Sequence, residues 1–178
     1  VGGAVRDMVL GFKPKDFDVA TNATPEQIKR LFRRAFIIGR RFQIVHVMFG
    51  SDLLEVTTFR GPSVEQAQKD EHGRVLRDNT FGSQQEDAVR RDFTINAMAI
   101  DLSATNFGTL LDPFNGLNDL ALKIIRTPMA PEQTFDDDPL RMMRAIRFAT
   151  QLDFVIEENT FKAIQQMADR IKIVSQER

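Results

Sequence analysis

Asp16 and Asp18 sit one residue apart in the stretch Asp16-Phe17-Asp18-Val19-Ala20. Its period-two alternation predicts a strand, and residues two apart on a strand share a face. Two carboxylates held side by side repel each other unless they share a cation. Hard oxygen ligands of this kind suit Mg²⁺. Such a site can activate an attacking hydroxyl and stabilise a leaving pyrophosphate. Upstream lies Gly2-Gly3-Ala4-Val5-Arg6-Asp7. Gly2 and Gly3 can bring backbone N–H groups close to a triphosphate, with the positive end of the following helix adding to the field. An Asp-x-Asp on a surface strand is usually just solvated, and a glycine pair alone means little. Their combination at this spacing favours the chemical reading. Glu55 falls on a later predicted strand and would complete a carboxylate triad; the alternative is a solvated strand residue.

Two further constellations follow. In Arg90-Arg91-Asp92-Phe93-Thr94-Ile95-Asn96-Ala97, Arg can fork onto phosphate oxygens and Asp can accept from a ribose hydroxyl. Taken alone, a salt-bridged helix surface explains it as well. In Asp137-Asp138-Pro139-Leu140-Arg141, Asp138 and Arg141 are three apart and are expected on one helix face. A carboxylate acceptor beside a guanidinium donor can read the edge of a base. Arg141, Arg144 and Arg147 share a broad face suited to phosphate. An ordinary intrahelical ion pair is the plain alternative. Lys29, Arg30, Arg33, Arg34, Arg40 and Arg41, interleaved with Phe32, Phe36 and Phe42, would give several cations along an RNA path, with the Phe in the core.

The elements that must position these residues are legible in outline. Residues 4–10 read as a short helix closed by Gly11. Thr24-Pro25-Glu26-Gln27 is a helix start, with Ile28, Leu31 and Phe32 as its apolar stripe. Strands are expected at 36–38, 42–49 and 53–59. The polar span 62–77 reads as a mobile loop. Ser83-Gln84-Gln85-Glu86 is a capping box, opening a helix that runs towards Ala99. Short strands are expected at 110–112 and 123–126 around a Gly116 turn, and helices at 138–152 and 158–169. The picture is a mixed α/β segment followed by helices from about residue 130.

Composition narrows the function classes. Hydrophobic residues make up 42% of the 178, with 15 Phe and no Trp or Tyr, enough for a real core. The net charge of −1 means that any nucleic-acid signal must be local. The absence of Cys excludes a disulfide scaffold and any thiolate metal site, and two His are too few for a His-rich centre. No apolar run approaches the ~18 residues of a membrane span, so a cytoplasmic protein is expected. The first and last residues read as a strand end and a helix start, as in a piece of a longer chain.

Together these residues resemble the bacterial class II nucleotidyltransferases of the DNA polymerase β superfamily, the poly(A) polymerases and CCA-adding tRNA nucleotidyltransferases. Gly2-Gly3-x-Val5-Arg6-Asp7 with Asp16-x-Asp18 resembles the family's catalytic motif, and residues 90–97 its ribose-recognition motif. Asp112, Gly116 and Asp119-Leu120 are similar to the motif linking head and neck. Asp137-Asp138-x-x-Arg141 resembles the base-selecting Glu-Asp-x-x-Arg, with Asp in place of the first Glu. Arg170-Ile171 and Ser175-x-Glu177-Arg178 are similar to the last neck motif. Residues 37–47 and 76–82 look like poly(A) polymerase. Beyond about Asn96, residues 107–119, 125–128 and 137–152 look more like CCA-adding enzymes, as if the halves came from two branches.

The resemblance implies an α/β fold: a polymerase-β-like head with a mixed sheet over residues 1–127, then the start of a helical, nucleotide- and RNA-binding neck over 128–178, with body and tail absent. It implies attack of an RNA 3′-hydroxyl, of mRNA or tRNA, on the α-phosphate of ATP (or CTP), with pyrophosphate released and no membrane partner. Asp16 and Asp18 would hold Mg²⁺, with Glu55 as a third catalytic carboxylate. Gly2, Gly3, Arg6, Arg91, Asp92, Asn96, Asp138, Arg141, Arg144 and Arg147 would bind the nucleotide. Poly(A) polymerase is the favoured activity. CCA addition shares its chemistry, and an inactive RNA-binding fragment is the reading from another class.

Overall fold

The computed structural model describes residues 1–39, 43–61, 68–69, 75–77 and 81–174. Two compact units divide the chain, Val1–Ala88 and Val89–Arg178.

In the first unit, Gly2 stands at φ 69° and opens α1 (Gly3–Val9). A left-handed backbone there favours glycine. Strand β1 (Asp18–Thr21) follows. It starts two residues later than the alternation predicts, so Asp16 precedes the strand. Helix α2 (Pro25–Leu31) opens on a full capping box: Gln27 N donates to Thr24 Oγ1 at 3.3 Å and Thr24 N to Gln27 Oε1 at 2.8 Å. Strands β2 (Ala35–Ile38), β3 (Ile44–Phe49) and β4 (Asp52–Thr58) form an antiparallel meander, and β1 adds to β4 in parallel. The sheet is therefore mixed, in the order β1-β4-β3-β2. Gly50, at φ 62°, makes the two-residue turn between β3 and β4 with Ser51.

One face of this sheet is the core of the unit. Ile28, Ala35, Val45, Val47 and Val56 are buried together, with Val19, Ala23, Ile37 and Leu54 packed against them. Only Ile28 of the expected α2 stripe goes in. The helix ends at Leu31, which is 74% exposed, and Phe32 has left helical geometry. Phe32 instead meets Phe49 edge-on at 5.8 Å.

Strands β5 (Gln68–Lys69) and β6 (Val75–Arg77) pair antiparallel inside the span expected to be a loop. Most of residues 62–77, and with them the expected mobility, lie outside the described residues, as do Arg40, Arg41, Phe42 and Ser175–Arg178. Helix α3 (Gln84–Val89) opens on the expected Ser83–Glu86 capping box but stops ten residues short of Ala99. Residues 92–99 are all buried. Its polar side chains, Asp92, Thr94 and Asn96, are buried with the apolar ones, so the run presents no solvated face of the kind a surface helix needs.

The second unit builds on that buried run. Thr94–Asn96 forms a 3₁₀ turn, then β7 (Ala99–Ile100) pairs with β8 (Leu110–Leu111). The expected Gly116 turn is a helix, α4 (Gly116–Leu122). Asp112 makes it one: its carboxylate accepts Gly116 N at 2.6 Å and Leu117 N at 2.9 Å. Strand β9 (Ile124–Ile125) pairs in parallel with β10 (Val155–Ile156). The helix expected at 138–152 is α6 (Leu140–Leu152), two residues late at its start, and a further helix that was not expected, α5 (Pro131–Asp137), precedes it. Pro139 forces the break, because the residue before proline avoids the helical region; Asp138 is extended, at φ −150° and ψ 102°. Helix α7 (Glu158–Met167) and a 3₁₀ segment (Ala168–Ile173) close the described chain. Phe93, Ile95, Met98, Ile125, Phe135 and Met142 are fully buried in this unit. Among the described residues, no helix is long and apolar enough to cross a membrane.

Candidate active site

In the first unit, α2 and its core cover one sheet face, so the chemistry falls to the other. Directly paired residues on neighbouring strands stand on the same face. Asp18 pairs with Glu55, Glu55 with His46, and His46 with Phe36. These four residues form one row across the sheet, from β1 through β4 and β3 to β2. Asp18 is exposed. His46 Nε2 lies 3.1 Å from Glu55 Oε1, with side-chain exposures of 24% and 43%. A carboxylate only accepts, so the imidazole donates through Nε2–H. Asp16 is exposed two residues before β1.

The register thus brings Asp18 and Glu55 side by side. Among the described residues, no group of three or more His, Cys, Asp or Glu is gathered tightly enough to hold a metal ion by itself. The donor set still fits Mg²⁺. That ion is held by one or two carboxylates, keeps several waters and takes its remaining ligands from substrate phosphates. Arg6, expected on the nucleotide, is turned inward at 5% exposure. Its Nε and Nη2 reach Asp7 Oδ1 at 2.8 and 2.6 Å. Lys29, Arg30 and Arg33 are exposed, while Arg34 donates to Gly50 O at 3.1 Å.

In the second unit, two motifs read separately in the sequence form one network. Asp92, 7% exposed, accepts Phe93 N at 2.9 Å and Asn96 Nδ2 at 3.1 Å on Oδ1. Its Oδ2 accepts Arg144 Nε at 2.7 Å. Arg141 donates through Nη2 to Arg90 O at 2.6 Å and through Nη1 to Thr134 O at 3.2 Å. Burial pushes the Arg141 guanidinium below its ordinary pKa, and the charges of Asp92 and Asp138 oppose that shift. Arg91 Nη1 reaches Asn96 O at 3.4 Å. Phe93 meets Phe148 edge-on at 6.0 Å, and the guanidinium carbons of Arg144 and Arg147 stand 5.1 and 4.8 Å from the Phe148 ring centre.

Asp138 and Arg141 do not share a helix face as expected. Asp138 ends α5 and accepts Leu140 N at 3.1 Å through Oδ1, and Arg141 N donates to Asp138 O at 3.0 Å. Sequence reasoning assigned no role to His46 and placed Asp119 only in the motif similar to the one linking head and neck. Asp119, 3% exposed, accepts Thr94 Oγ1 at 2.7 Å and faces Arg126 at 3.5 Å. Its signal is a lone acid in the apolar helix α4. That of His46 is countable: a two-residue Gly50-Ser51 turn places it opposite Glu55.

Comparison with known proteins fits this geometry. The family described as "Poly A polymerase head domain" matches residues 1–126, and "Probable RNA and SrmB- binding site of polymerase A" matches residues 153–178. Poly(A) polymerase I of Salmonella typhi is 48% identical over 94% of this chain and 37% of its own length. The CCA-adding enzyme of Lactobacillus helveticus is 42% identical over 100% of this chain and 43% of its own. The crystal structure of the Bacillus stearothermophilus CCA-adding enzyme in complex with CTP superposes with a TM-score of 0.82 at 38% identity, covering 98% of this chain and 40% of that one. The chain therefore spans about two fifths of the length of the relatives it matches. A mixed sheet that sets Asp18 beside Glu55, followed by the buried Asp92–Arg144 network and by helices, belongs with these matches: the chain is a member of the poly(A) polymerase head-domain family of nucleotidyltransferases.

Proposed function

We propose that this chain is the catalytic portion of a template-independent nucleotidyltransferase that adds AMP from ATP to an RNA 3′ end. The observation that carries the reading is the pairing of Asp18 with Glu55 on the open sheet face. Asp16 and Asp18, with Glu55, would hold Mg²⁺, which when bound supplies activation of the attacking hydroxyl and neutralises charge on the leaving pyrophosphate. In the second unit, the Asp92 carboxylate locks the 3₁₀ turn, and with it Asn96 and the Arg91 side chain, into one shape. Arg91 and Asp92 would then position the nucleotide's phosphates and sugar. Asp138 would offer acceptors to the base, while two backbone carbonyls steady Arg141 beside it. We assign residues 1–127 to the head and 128–178 to the beginning of the neck.

CCA addition is the second reading, favoured by the similarity to CCA-adding enzymes over the whole chain. One experiment separates them. The full-length protein is offered each NTP in turn, with a generic RNA and with a tRNA lacking its 3′ end. The expected result is Mg²⁺-dependent AMP incorporation into the generic RNA, abolished by Asp16→Ala or Asp18→Ala without loss of thermal stability. CMP incorporation confined to the tRNA establishes the second reading. Wild-type turnover by Asp18→Ala removes the carboxylate assignment.

A further inference from the structure

Glu55 stands in the middle of the cross-sheet row, with Asp18 on one side and His46 on the other. A glutamate on a partly exposed strand has three rotatable bonds and spreads over many rotamers. An imidazole has two, and that of His46 is mostly covered, at 24% exposure. Its Nε2–H fixes Glu55 Oε1 at 3.1 Å. It thereby removes rotational freedom from the carboxylate while using only one of its two oxygens.

The pairing is built into the fold. The Gly50-Ser51 turn sets Phe49 opposite Asp52 and so His46 opposite Glu55. The parallel register of β1 then sets Glu55 opposite Asp18. An imidazole next to a carboxylate could also be an incidental surface pair, worth about 0–1 kcal/mol to stability. That account does not explain why the pair lies in line with Asp18, on the one sheet face that the core leaves open.

We infer that His46 is a positioning residue for the transfer reaction: it holds Glu55 oriented beside Asp18 so that the two carboxylates can share a divalent cation. The inference rests on the proposed metal role of Asp18 and Glu55. The donor to a metal-binding carboxylate typically governs affinity by about 10- to 100-fold. The exposure of Glu55 puts the expected effect at the low end, about tenfold.

The test uses the full-length protein and Mn²⁺ alone, with free Mn²⁺ read by electron paramagnetic resonance. His46→Ala is expected to weaken Mn²⁺ binding about tenfold and to raise the Mg²⁺ needed for half-maximal incorporation by a similar factor, with KM for RNA unchanged. His46→Gln, which restores an N–H donor, is expected to bind Mn²⁺ close to wild type. Wild-type Mn²⁺ affinity in His46→Ala, or equal losses in the Ala and Gln variants, overturns the inference. Asp18→Ala and Glu55→Gln keep the two questions apart. If both lose Mn²⁺ and His46→Ala does not, the metal site stands and the role of His46 falls. If both bind like wild type, the metal reading falls and takes the inference with it.

Discussion

Replacing Asp92 should unlock the second unit, and the size of the effect follows from its three contacts. Phe93 N and Asn96 Nδ2 are buried donors with Oδ1 as acceptor. Each costs about 1–3 kcal/mol if left without one. The Arg144 pair is charge-assisted at 2.7 Å, but that side chain is 39% exposed. Its loss therefore lies between the ~0–1 kcal/mol of a surface pair and the ~3–5 kcal/mol of a buried one, and we take about 1–2. Asp92→Ala should then cost about 3–8 kcal/mol, a large part of the ~5–15 kcal/mol available to a domain. Urea unfolding followed by circular dichroism would show the midpoint falling by about 1 M or more. Asp92→Asn keeps an acceptor for the two amides and turns an NH₂ towards Arg144, so it should cost less. A double-mutant cycle with Arg144→Met should return about 1–2 kcal/mol of coupling. Additivity within ~0.5 kcal/mol would refute the network.

Three other outcomes are expected. A Cβ on Gly116 would stand 2.5 Å from Thr94 O, so Gly116→Ala should cost about 1–3 kcal/mol, the range of an overpacked core, seen in the same unfolding assay; a neutral change would contradict that packing. Desolvation raises the Glu157 pKa, but hydrogen bonds from Thr160 and Asn159 and the charge of Arg126 together outweigh it, and the net shift is downward. The stabilisation this gives is fully present above the ordinary value of 4.5 and is lost as pH falls through the lower folded value, so the Tm gap between wild type and Glu157→Gln should be open at neutral pH and close in acid. A pH-independent gap contradicts it. Asp138→Ala should relax discrimination among NTPs by roughly ten- to a hundredfold, the worth of a charged hydrogen bond of about 1.5–3 kcal/mol, measured as kcat/KM for all four. An unchanged preference leaves Asp138 as the cap of Leu140 N alone.

Local chemistry made much of this fold legible in the sequence. The capping boxes at Thr24 and Ser83 start helices where expected, because each box satisfies its own backbone groups without outside help. The strands on either side of Gly50 were visible from alternation. The failures came where contacts outside the simple helix and strand patterns decide, near or distant. Residues 92–99 read as the continuation of the helix that the Ser83 box opens, yet Asp92, bonded to an arginine 52 residues away, holds residues 94–96 in a tight turn. Gly116 read as a turn because the carboxylate that caps its helix lies four residues back. Asp138 and Arg141 read as helical neighbours because simple spacing ignores what Pro139 does to the residue before it. The carboxylates of Asp16 and Asp18 stood out by type and spacing. The partner of Glu55 required counting through a hairpin.

Among the described residues, β1 lies at the sheet edge, with β4 as its one partner. A slip of one residue, about 3.3 Å, would exchange faces all along it. Val19 would leave the core for water and the Asp18 carboxylate would be driven against Val56. The sheet would keep its strand count and lose its acid pair, giving a chain that looks folded and is chemically silent. Three contacts away from the carboxylates guard against that: Phe59 N to Thr21 O at 2.8 Å, Thr58 Oγ1 to Ala23 O at 2.6 Å and Thr57 Oγ1 to Val19 O at 3.4 Å. Thr57 and Thr58 thus act as proofreaders of strand alignment, and their loss should appear as a mixture of live and dead molecules rather than as a uniformly slower one.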